Sequence, residues 1–347
     1  MRAAFLDGAE EITVREVPPS RTEGHLVEID VIACGICGSD LHGWRRPDLT
    51  IGRGGPPIPG MAGHEIVARA PRADGGRGGR RVVVEPNLAG NCGRCPACLS
   101  GKARFCSDRS ALRSWGFSER MSVNASSLFD VPDGMADELA SLTEPLACAV
   151  HAYRASHTFA AQDGTLAGRK IAVIGAGAIG LLAIAAAARL GADAVLCVAR
   201  YPRQAETAET LGAVDVLDPV ADDVVSGIRR FAPDVVVEAV GGGPETFDLA
   251  VRTVNPGGEV LVLGLFNDPT HLDTRRAAFR ELRLFFAMTY GVFDGRHDFE
   301  VALEFLESDP DAFGGLVSHR FPLEETADAF VAAADKSTGA LRVVVAP

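Results

Sequence analysis

The chain has 347 residues, of which 47% are hydrophobic and 23% charged, and its formal net charge is −12. This length is enough for two domains with separate cores. Phosphate backbones and anionic lipids repel an acidic chain that has no stretch dense in lysine and arginine, so the composition argues against nucleic-acid and membrane partners and favours a small-molecule ligand.

The first part of the chain, to about residue 150, has the pattern of a β-rich domain. Residues 25–33 alternate between polar and apolar side chains, and residues 81–85 form a short apolar run. Both patterns are typical of strands, and the segments between them are rich in glycine and proline. The N-terminus turns acidic at Asp7 before an apolar segment of signal-peptide length, which predicts a cytoplasmic location.

Three separate segments of this part carry the ligand types of an open catalytic zinc site. They are Cys34 to His42, the Gly63-His64-Glu65 run, and Glu144 immediately before a proline. Each is weak by itself, because a His-Glu pair is more often structural and Glu144 could simply begin a helix. Only their order along the chain, together with the motifs below, makes a metal site the favoured interpretation.

Four cysteines are concentrated between these segments, at Cys92, Cys95, Cys98 and Cys106. Four thiolates close a tetrahedral zinc shell and leave no position for substrate, so this metal is predicted to be structural. Disulfides are disfavoured because they seldom crowd four cysteines at this spacing in a chain of this size. A thioredoxin-like redox pair is also disfavoured, because the glycines and prolines predict a loop here and such a pair requires a helix start after a strand.

From residue 169 the pattern changes to alternating strands and helices, which predicts a doubly wound parallel sheet. Residues 170–174 form an apolar strand that runs into Gly175, Gly177 and Gly180, a GxGxxG turn, and then into a helix. In this context the motif predicts a dinucleotide site, with Ala178 and Ile179 completing the turn. Residues 171–188 carry no charge and have the length of a membrane span, but the three glycines favour a buried strand and helix instead.

The end of the second strand bears on which dinucleotide is bound. An NAD site normally has an acidic residue there, whereas this chain has Ala199 followed by Arg200 and Arg203. Guanidinium groups match phosphate geometry, so NADP(H) is favoured over NAD(H). Arginines that are merely solvated at a loop are the alternative.

The C-terminal part, with helical periodicity over 298–306 and 324–334 and a strand at 341–345, is predicted to rejoin the first domain. Taken in order, the motifs resemble the zinc-dependent medium-chain dehydrogenase/reductase superfamily of alcohol, sorbitol and threonine dehydrogenases. The resemblance covers essentially the whole chain. The matching runs are CGICGSDLH (34–42), GHE (63–65), CGRCPACLSGKARFC (92–106), WGFSER (115–120), LTEPLACAVHA (142–152), VIGAGAIG (173–180), NPGGEVLVLG (255–264) and ALRVVV (340–345).

This resemblance implies an α/β protein with two domains. A GroES-like, β-rich catalytic domain is expected at 1–152 and 291–347, and a Rossmann domain with a doubly wound parallel sheet at 153–290. The resemblance also implies two zinc ions per subunit and a homo-oligomer, either a dimer or a tetramer.

The resemblance further implies the roles of individual residues. Cys37, His64 and Glu144 are the expected ligands of the catalytic zinc, with Glu65 as an alternate ligand. Cys34 is expected to neighbour the site without binding the metal. Arg342 is expected to touch the pyrophosphate of the cofactor.

Three further residues are expected to support the chemistry. Ser39 holds the substrate hydroxyl, His42 relays its proton to solvent, and Asp40 orients His64. For Ser39 and His42 the alternative is a serine that begins a helix and a surface histidine. The basic run that follows, with Trp44, Arg45, Arg46 and Arg53, either meets a polar substrate or is solvated.

The implied activity is hydride transfer between NADP(H) and a secondary alcohol or ketone, with a polyol, sugar or cyclitol as the favoured substrate class. Two alternatives stay open: a reductase of the same fold that acts on a conjugated or imine bond without catalytic zinc, and a non-catalytic dinucleotide-binding sensor.

Overall fold

A computed structural model describes residues 1–18, 26–46, 63–71, 79–108, 116–266 and 268–347. The chain divides into two compact units, residues 1–144 with 306–347, and residues 145–305. The predicted domain boundaries, after residues 152 and 290, lie inside the second unit and stay predictions.

The strands of the described residues are β1 Arg2–Gly8, β2 Glu11–Glu16, β3 Leu26–Gly35, β4 Glu65–Ala70, β5 Arg80–Val84, β6 Arg120–Asn124, β7 Leu128–Asp130, β8 Lys170–Ile174, β9 Ala194–Val198, β10 Asp215–Leu217, β11 Val235–Glu238, β12 Glu259–Val262, β13 Arg283–Phe286, β14 Val292–Phe293, β15 Arg296–His297, β16 Val317–Pro322 and β17 Arg342–Ala346.

The α-helices are α1 Gly38–Arg45, α2 Pro96–Leu99, α3 Asp137–Ala140, α4 Thr143–Arg154, α5 His157–Ala160, α6 Ala178–Arg189, α7 Pro202–Thr210, α8 Val224–Phe231, α9 Glu245–Thr253, α10 Thr274–Phe279, α11 Asp298–Ser308, α12 Pro310–Gly314 and α13 Thr326–Ala334. Short 3-10 helices cover Ala103–Phe105, Ala125–Ser127, Leu323–Glu325 and Lys336–Thr338.

The first unit is built on a mainly antiparallel sheet. Its strand order in the described residues is β16-β17-β3-β4-β5-β7, with β6 also paired to β3. Strand β17 lies antiparallel to β3, so the C-terminal strand is part of the sheet of the first unit. Helix α13 packs on the unit's core through Phe330, whose ring contacts Trp44 and Phe117 edge to face.

The second unit contains the predicted parallel sheet. Its order in the described residues is β10-β9-β8-β11-β12-β13, and every pairing in it is parallel. Strands β8 and β11 are almost wholly buried, which explains why they are continuous apolar runs and do not alternate. The doubly wound Rossmann architecture is therefore confirmed.

Helix α6 accounts for the uncharged stretch that resembles a membrane span. Its residues from Gly180 to Ala187 are all buried, which a helix lacking a polar face requires. In the described part of the chain, no helix has both the length and the apolarity needed to cross a bilayer.

Two local expectations were wrong. The four-cysteine segment was predicted as loop, but Pro96 begins a helical turn, because its fixed φ suits the first position of a helix. The basic run after His42 was expected to meet a polar substrate or to be solvated, but Trp44 is a core residue with 5% of its surface exposed, on helix α1, which continues to Arg45. Arg53 lies outside the described residues, as does Trp115 of the WGFSER run.

Glu85, directly after β5, is a buried carboxyl in the first unit. It accepts hydrogen bonds from the backbone N–H groups of Asn87 and Leu88. Burial nevertheless raises the pKa of Glu85 to about 7, because removal from water penalises the charged form more than these two bonds favour it.

We expect Glu85→Gln to flatten the pH dependence of the free energy of unfolding. The pKa of Glu85 is higher in the folded state than in the unfolded state. Its contribution to the free energy of unfolding is therefore fully present below about pH 4.5 and is lost as pH rises through about 7. The loss amounts to up to roughly 3 kcal/mol. Urea unfolding at about pH 5 and pH 8 measures the change. Glu16→Gln, at an exposed position of β2, is the control and should leave the slope unchanged. Equal slopes for wild type and Glu85→Gln would contradict the expectation.

Candidate metal and dinucleotide sites

The predicted metal ligand Cys37 lies where β3 ends and α1 begins. It is the N-cap residue of α1, with extended backbone (φ −84°, ψ 158°). Its N–H donates to Oδ2 of Asp40, 2.9 Å away, and the other oxygen of Asp40 lies 3.6 Å from Nδ1 of His64. One carboxylate therefore contacts both the Cys37 backbone and the His64 ring, the geometry expected of a residue that orients a metal-binding histidine.

Three candidate ligands come together at this point. Among the described residues, ligand atoms of Cys37, His64 and Glu65 all lie within 4.8 Å of one another. Glu144 is not in this trio, but it is buried in the first turn of α4, and its charge acts on both Cys37 and His64. The donor set of one thiolate, one imidazole and carboxylates suits zinc with an open position.

The surroundings of Cys37 and His64 favour the charged form of both side chains. Burial acts to raise the pKa of Cys37, but the charge and hydrogen bond of His64 outweigh it, so the pKa is lowered. Burial acts to lower the pKa of His64, but the negative charges of Asp40 and Cys37 raise it well above its ordinary value. Burial raises the pKa of Asp40, with His64 opposing the shift. The thiolate form of Cys37, which metal binding requires, is thus already stabilised by the protein.

Glu65 has a second partner that sequence reasoning missed. Its carboxylate pairs with the guanidinium of Arg342, and both side chains are buried. The two meet over Gly35 on the strand between β4 and β17, where an added Cβ would overlap Glu65. The predicted pyrophosphate contact of Arg342 stays a prediction, and the structure gives this guanidinium an internal carboxylate partner.

The predicted proton-relay residues share one helix. Ser39 and His42 are both partly exposed on α1 and lie three residues apart, so they occupy neighbouring positions on its surface. Cys34 is fully buried at the end of β3, and its Sγ lies where a side chain at Gly63 would be. It is not a member of the ligand trio.

The four cysteines of the second cluster also come together. The ligand atoms of Cys92, Cys95, Cys98 and Cys106 lie within 4.8 Å of one another, and all four are free thiols. The Sγ atoms of Cys95 and Cys98 are 3.5 Å apart, too far for a disulfide. Backbone N–H groups of Cys98 and Ser107 lower the pKa of Cys95 to about 6. This arrangement suits a closed four-thiolate zinc site.

The glycine turn after β8 has the shape that a pyrophosphate needs. Gly175 has φ +100°, and a Cβ at Gly180 would overlap the Gly175 carbonyl, so neither position tolerates a side chain. At Gly177, the N-cap of α6, an added Cβ would meet no atom within 4 Å. The space in front of the helix N-terminus is therefore open, and its N–H groups favour an anion.

The residues after β9 lie at the surface. Ala199 is buried, and its N–H donates to the Leu217 carbonyl. Arg200 and Arg203 are exposed, and within the described ranges neither has an ion-pair partner, although Arg200 lies over the Tyr201 ring.

Comparisons with known proteins agree with this arrangement. Residues 23–133 match the model of the alcohol dehydrogenase GroES-like domain, and residues 178–308 match that of the zinc-binding dehydrogenases. Sorbitol dehydrogenase of Bacillus subtilis (strain 168) is 30% identical over 362 residues, which cover 100% of this chain and 97% of that enzyme. The chain belongs to the zinc-dependent medium-chain dehydrogenase/reductase family.

Other members of the family match over similar lengths. L-Threonine 3-dehydrogenase of Pyrococcus furiosus is 32% identical over 84% of this chain and 81% of that enzyme. A Sinorhizobium meliloti 1021 protein with NADP bound superposes with a TM-score of 0.83 at 29% identity, covering 100% of this chain and 99% of that chain. The (2R,3R)-butanediol dehydrogenase of Bacillus subtilis superposes with a TM-score of 0.80 at 28% identity over 100% and 99% of the two chains. As a member of this family, the chain is an oxidoreductase.

We expect the chain to bind two zinc ions, of which Cys37→Ala should remove one and Cys34→Ala neither. Both substitutions delete a thiol at the same end of β3, but only Cys37 belongs to the ligand trio. Metal content measured by mass spectrometry should fall from two to about one ion per chain for Cys37→Ala. Equal metal content in the two variants would refute the assignment.

Gly177→Ala should mainly weaken dinucleotide binding, whereas Gly180→Ala should mainly lower the stability of the fold. Gly177→Ala meets no protein atom, so we expect less than about 1 kcal/mol of destabilisation but about tenfold weaker dinucleotide binding. Gly180→Ala overlaps the Gly175 carbonyl, so it should cost about 2 kcal/mol of stability. Thermal unfolding and titration with NADPH measure the two effects. Unchanged NADPH affinity in Gly177→Ala would contradict a pyrophosphate site at this turn.

Proposed function

We propose that this oxidoreductase transfers hydride between NADP(H) and a secondary alcohol or ketone of the polyol, sugar or cyclitol class, with one catalytic and one structural zinc ion per subunit. The observation that carries the proposal is that the ligand atoms of Cys37, His64 and Glu65 lie within 4.8 Å of one another, as the ligands of one metal ion would. The named activities of the sorbitol and butanediol relatives support the substrate class.

The side chains of the first unit would hold the metal and the substrate. Cys37, His64 and Glu144 are the proposed ligands, with Glu65 as the alternate, and the bound zinc would supply a Lewis acid for the substrate oxygen. Asp40 accepts from the Cys37 N–H and lies beside His64, so it fixes the orientation of both ligands. Because the carboxylate of Glu65 is paired with Arg342, it can bind a metal only if it contacts both at once or breaks the pair.

Proton movement is assigned to α1. Ser39 would accept the proton of the substrate hydroxyl during oxidation while its own proton passes to His42, and His42, partly exposed, would pass a proton to solvent. The nicotinamide would accept the hydride. During reduction of a ketone the same protons move in the opposite direction.

The metal requirement tests this activity. With a panel of polyols and ketones, we expect Cys37→Ala to lose at least about a thousandfold in kcat/KM, because the charge on the substrate oxygen is no longer stabilised. Cys34→Ala is the matched control and should retain most of the activity. Activity that survives in Cys37→Ala would favour a reductase of the same fold without catalytic zinc. Tight NADPH binding without turnover of any substrate would favour a sensor.

Cofactor choice is assigned to the arginines after β9. The exposed guanidinium groups of Arg200 and Arg203 have no carboxylate partner in the described part of the chain, and Ala199 leaves room for a phosphate. The NADP bound to the Sinorhizobium meliloti structure supports this choice.

The double variant Arg200→Ala, Arg203→Ala should raise the KM for NADPH about tenfold or more and leave the KM for NADH unchanged, because only NADPH carries the 2′-phosphate. Arg252→Ala, which removes a partly exposed arginine from α9, should change neither value. Steady-state kinetics with both cofactors measures the selectivity. A higher kcat/KM with NADH than with NADPH in the wild type would overturn the proposed preference.

The cytoplasmic location and the homo-oligomeric assembly stay predictions.

A further inference from the structure

A buried carboxylate lies at the carboxyl edge of the parallel sheet, outside the residues assigned so far. Glu238 is the last residue of β11 and is fully buried. In register it neighbours Ile174 of β8 on one side and Val262 of β12 on the other. The next residue of β8 is Gly175, the first glycine of the dinucleotide turn, so Glu238 sits one residue from that turn in the adjacent strand.

The carboxylate organises the turn that follows β11. Its Oε1 accepts from the N–H of Val240 at 2.9 Å and of Gly241 at 3.0 Å. Gly241 and Gly242 both have positive φ, and the Gly242 N–H donates to the Leu265 carbonyl at 2.8 Å. This turn is thus fixed at both ends, by Glu238 and by the segment after β12.

The second oxygen of Glu238 has an unusual environment. Oε2 is buried and has no hydrogen-bond partner among the residues that the structure describes. It lies so close to Gly264 that a Cβ there would overlap it. A buried carboxylate oxygen without a partner is costly, so packing alone is a poor explanation for a glutamate at this position.

The fixed turn places an apolar side chain against the glycine turn. A Cβ at Gly175 would overlap Cγ2 of Val240. Val240 and Leu265 are nevertheless 52% and 43% exposed, at the ends of two adjacent strands. Ligands of open parallel sheets bind at this edge, outside the carboxyl ends of the strands.

We propose that Glu238 is a positioning residue of the dinucleotide site, which holds the 240–243 turn so that Val240 lies against Gly175 and faces the cofactor. The inference rests on the proposed dinucleotide function. It assigns to Glu238 an effect on cofactor affinity in addition to its effect on stability, although the side chain itself does not touch the cofactor.

The second unit contains a matched control. Glu259 is also buried in the same sheet, as the first residue of β12, and accepts from the N–H groups of His157 and Thr158 at 3.1 and 2.9 Å. It therefore fixes a backbone segment with the same chemistry, but at the amino edge, opposite the glycine turn. A purely structural role predicts equal behaviour of the two glutamates.

The experiment measures NADPH binding by fluorescence titration, and thermal unfolding, for Glu238→Ala, Glu238→Gln and Glu259→Ala in the full chain. We expect Glu238→Ala to raise the Kd for NADPH about tenfold, and Glu238→Gln, which keeps one acceptor oxygen, to stay within about threefold of wild type. Glu259→Ala should lower the melting temperature without changing the Kd. If Glu238→Ala does not fold, the exposed substitution Val240→Ala serves instead, with an expected rise in Kd of about fivefold.

The outcomes distinguish this inference from the proposed function. If the wild type binds NADPH and Glu238→Ala, or Val240→Ala in its place, binds it equally well, the inference alone is overturned. If Glu238→Ala and Glu259→Ala weaken binding to the same degree, the role of Glu238 is structural and the inference is also overturned. If the wild type binds neither NADPH nor NADH, the proposed function fails and the inference fails with it.

Discussion

The buried ion pair between Glu65 and Arg342 is the interaction on which the first unit depends. It joins β4 to β17 across Gly35 of β3, the strand whose end precedes the candidate metal ligand Cys37. Cys37 follows β3 by two residues, and His64 directly precedes β4. Removing either partner would leave a buried charge uncompensated, which costs far more than the pair contributes. The register of these strands, and hence the position of both ligands, is therefore strongly specified.

Buried carboxylates that accept backbone N–H groups recur in both units. Asp40 binds the N–H of Cys37, Glu85 binds two N–H groups after β5, and Glu238 and Glu259 do so at opposite edges of the parallel sheet. In each case the carboxylate fixes a turn next to a strand or helix end, where the backbone has no secondary-structure partner. Some of the acidic side chains of this chain therefore bind its own backbone and are not exposed to solvent.

The two units contribute different chemistry, and each prepares it by a different physical means. The first unit gathers thiolate, imidazole and carboxylate donors by packing strand and helix ends against one another. The second unit omits side chains at its glycine turn: protein atoms lie too close for one at Gly175 and Gly180, and the space in front of α6 is open at Gly177.

The sequence by itself determined the family, the order of elements and the identity of most candidate ligands. These follow from local patterns, because GxGxxG after an apolar strand and four cysteines at short spacing each specify their own geometry within a few residues. The uncharged run of α6 and the apolar strands β8, β9, β11 and β12 were predictable for the same reason. The short strands β10 and β13 were not assigned, because three or four residues give too little periodicity to separate a strand from a loop.

Only the tertiary structure decided which distant residues meet. Glu65 and Arg342 are 277 positions apart and pair because three strands align, and the grouping of Glu65 with Cys37 and His64 depends on the same alignment. Glu238 reads in the sequence as one acidic residue at the end of an apolar run, and its closeness to Gly175 arises from the parallel register of β8 and β11. Local patterns fix the type of each element, whereas contacts between elements depend on register and packing, which a single sequence does not display.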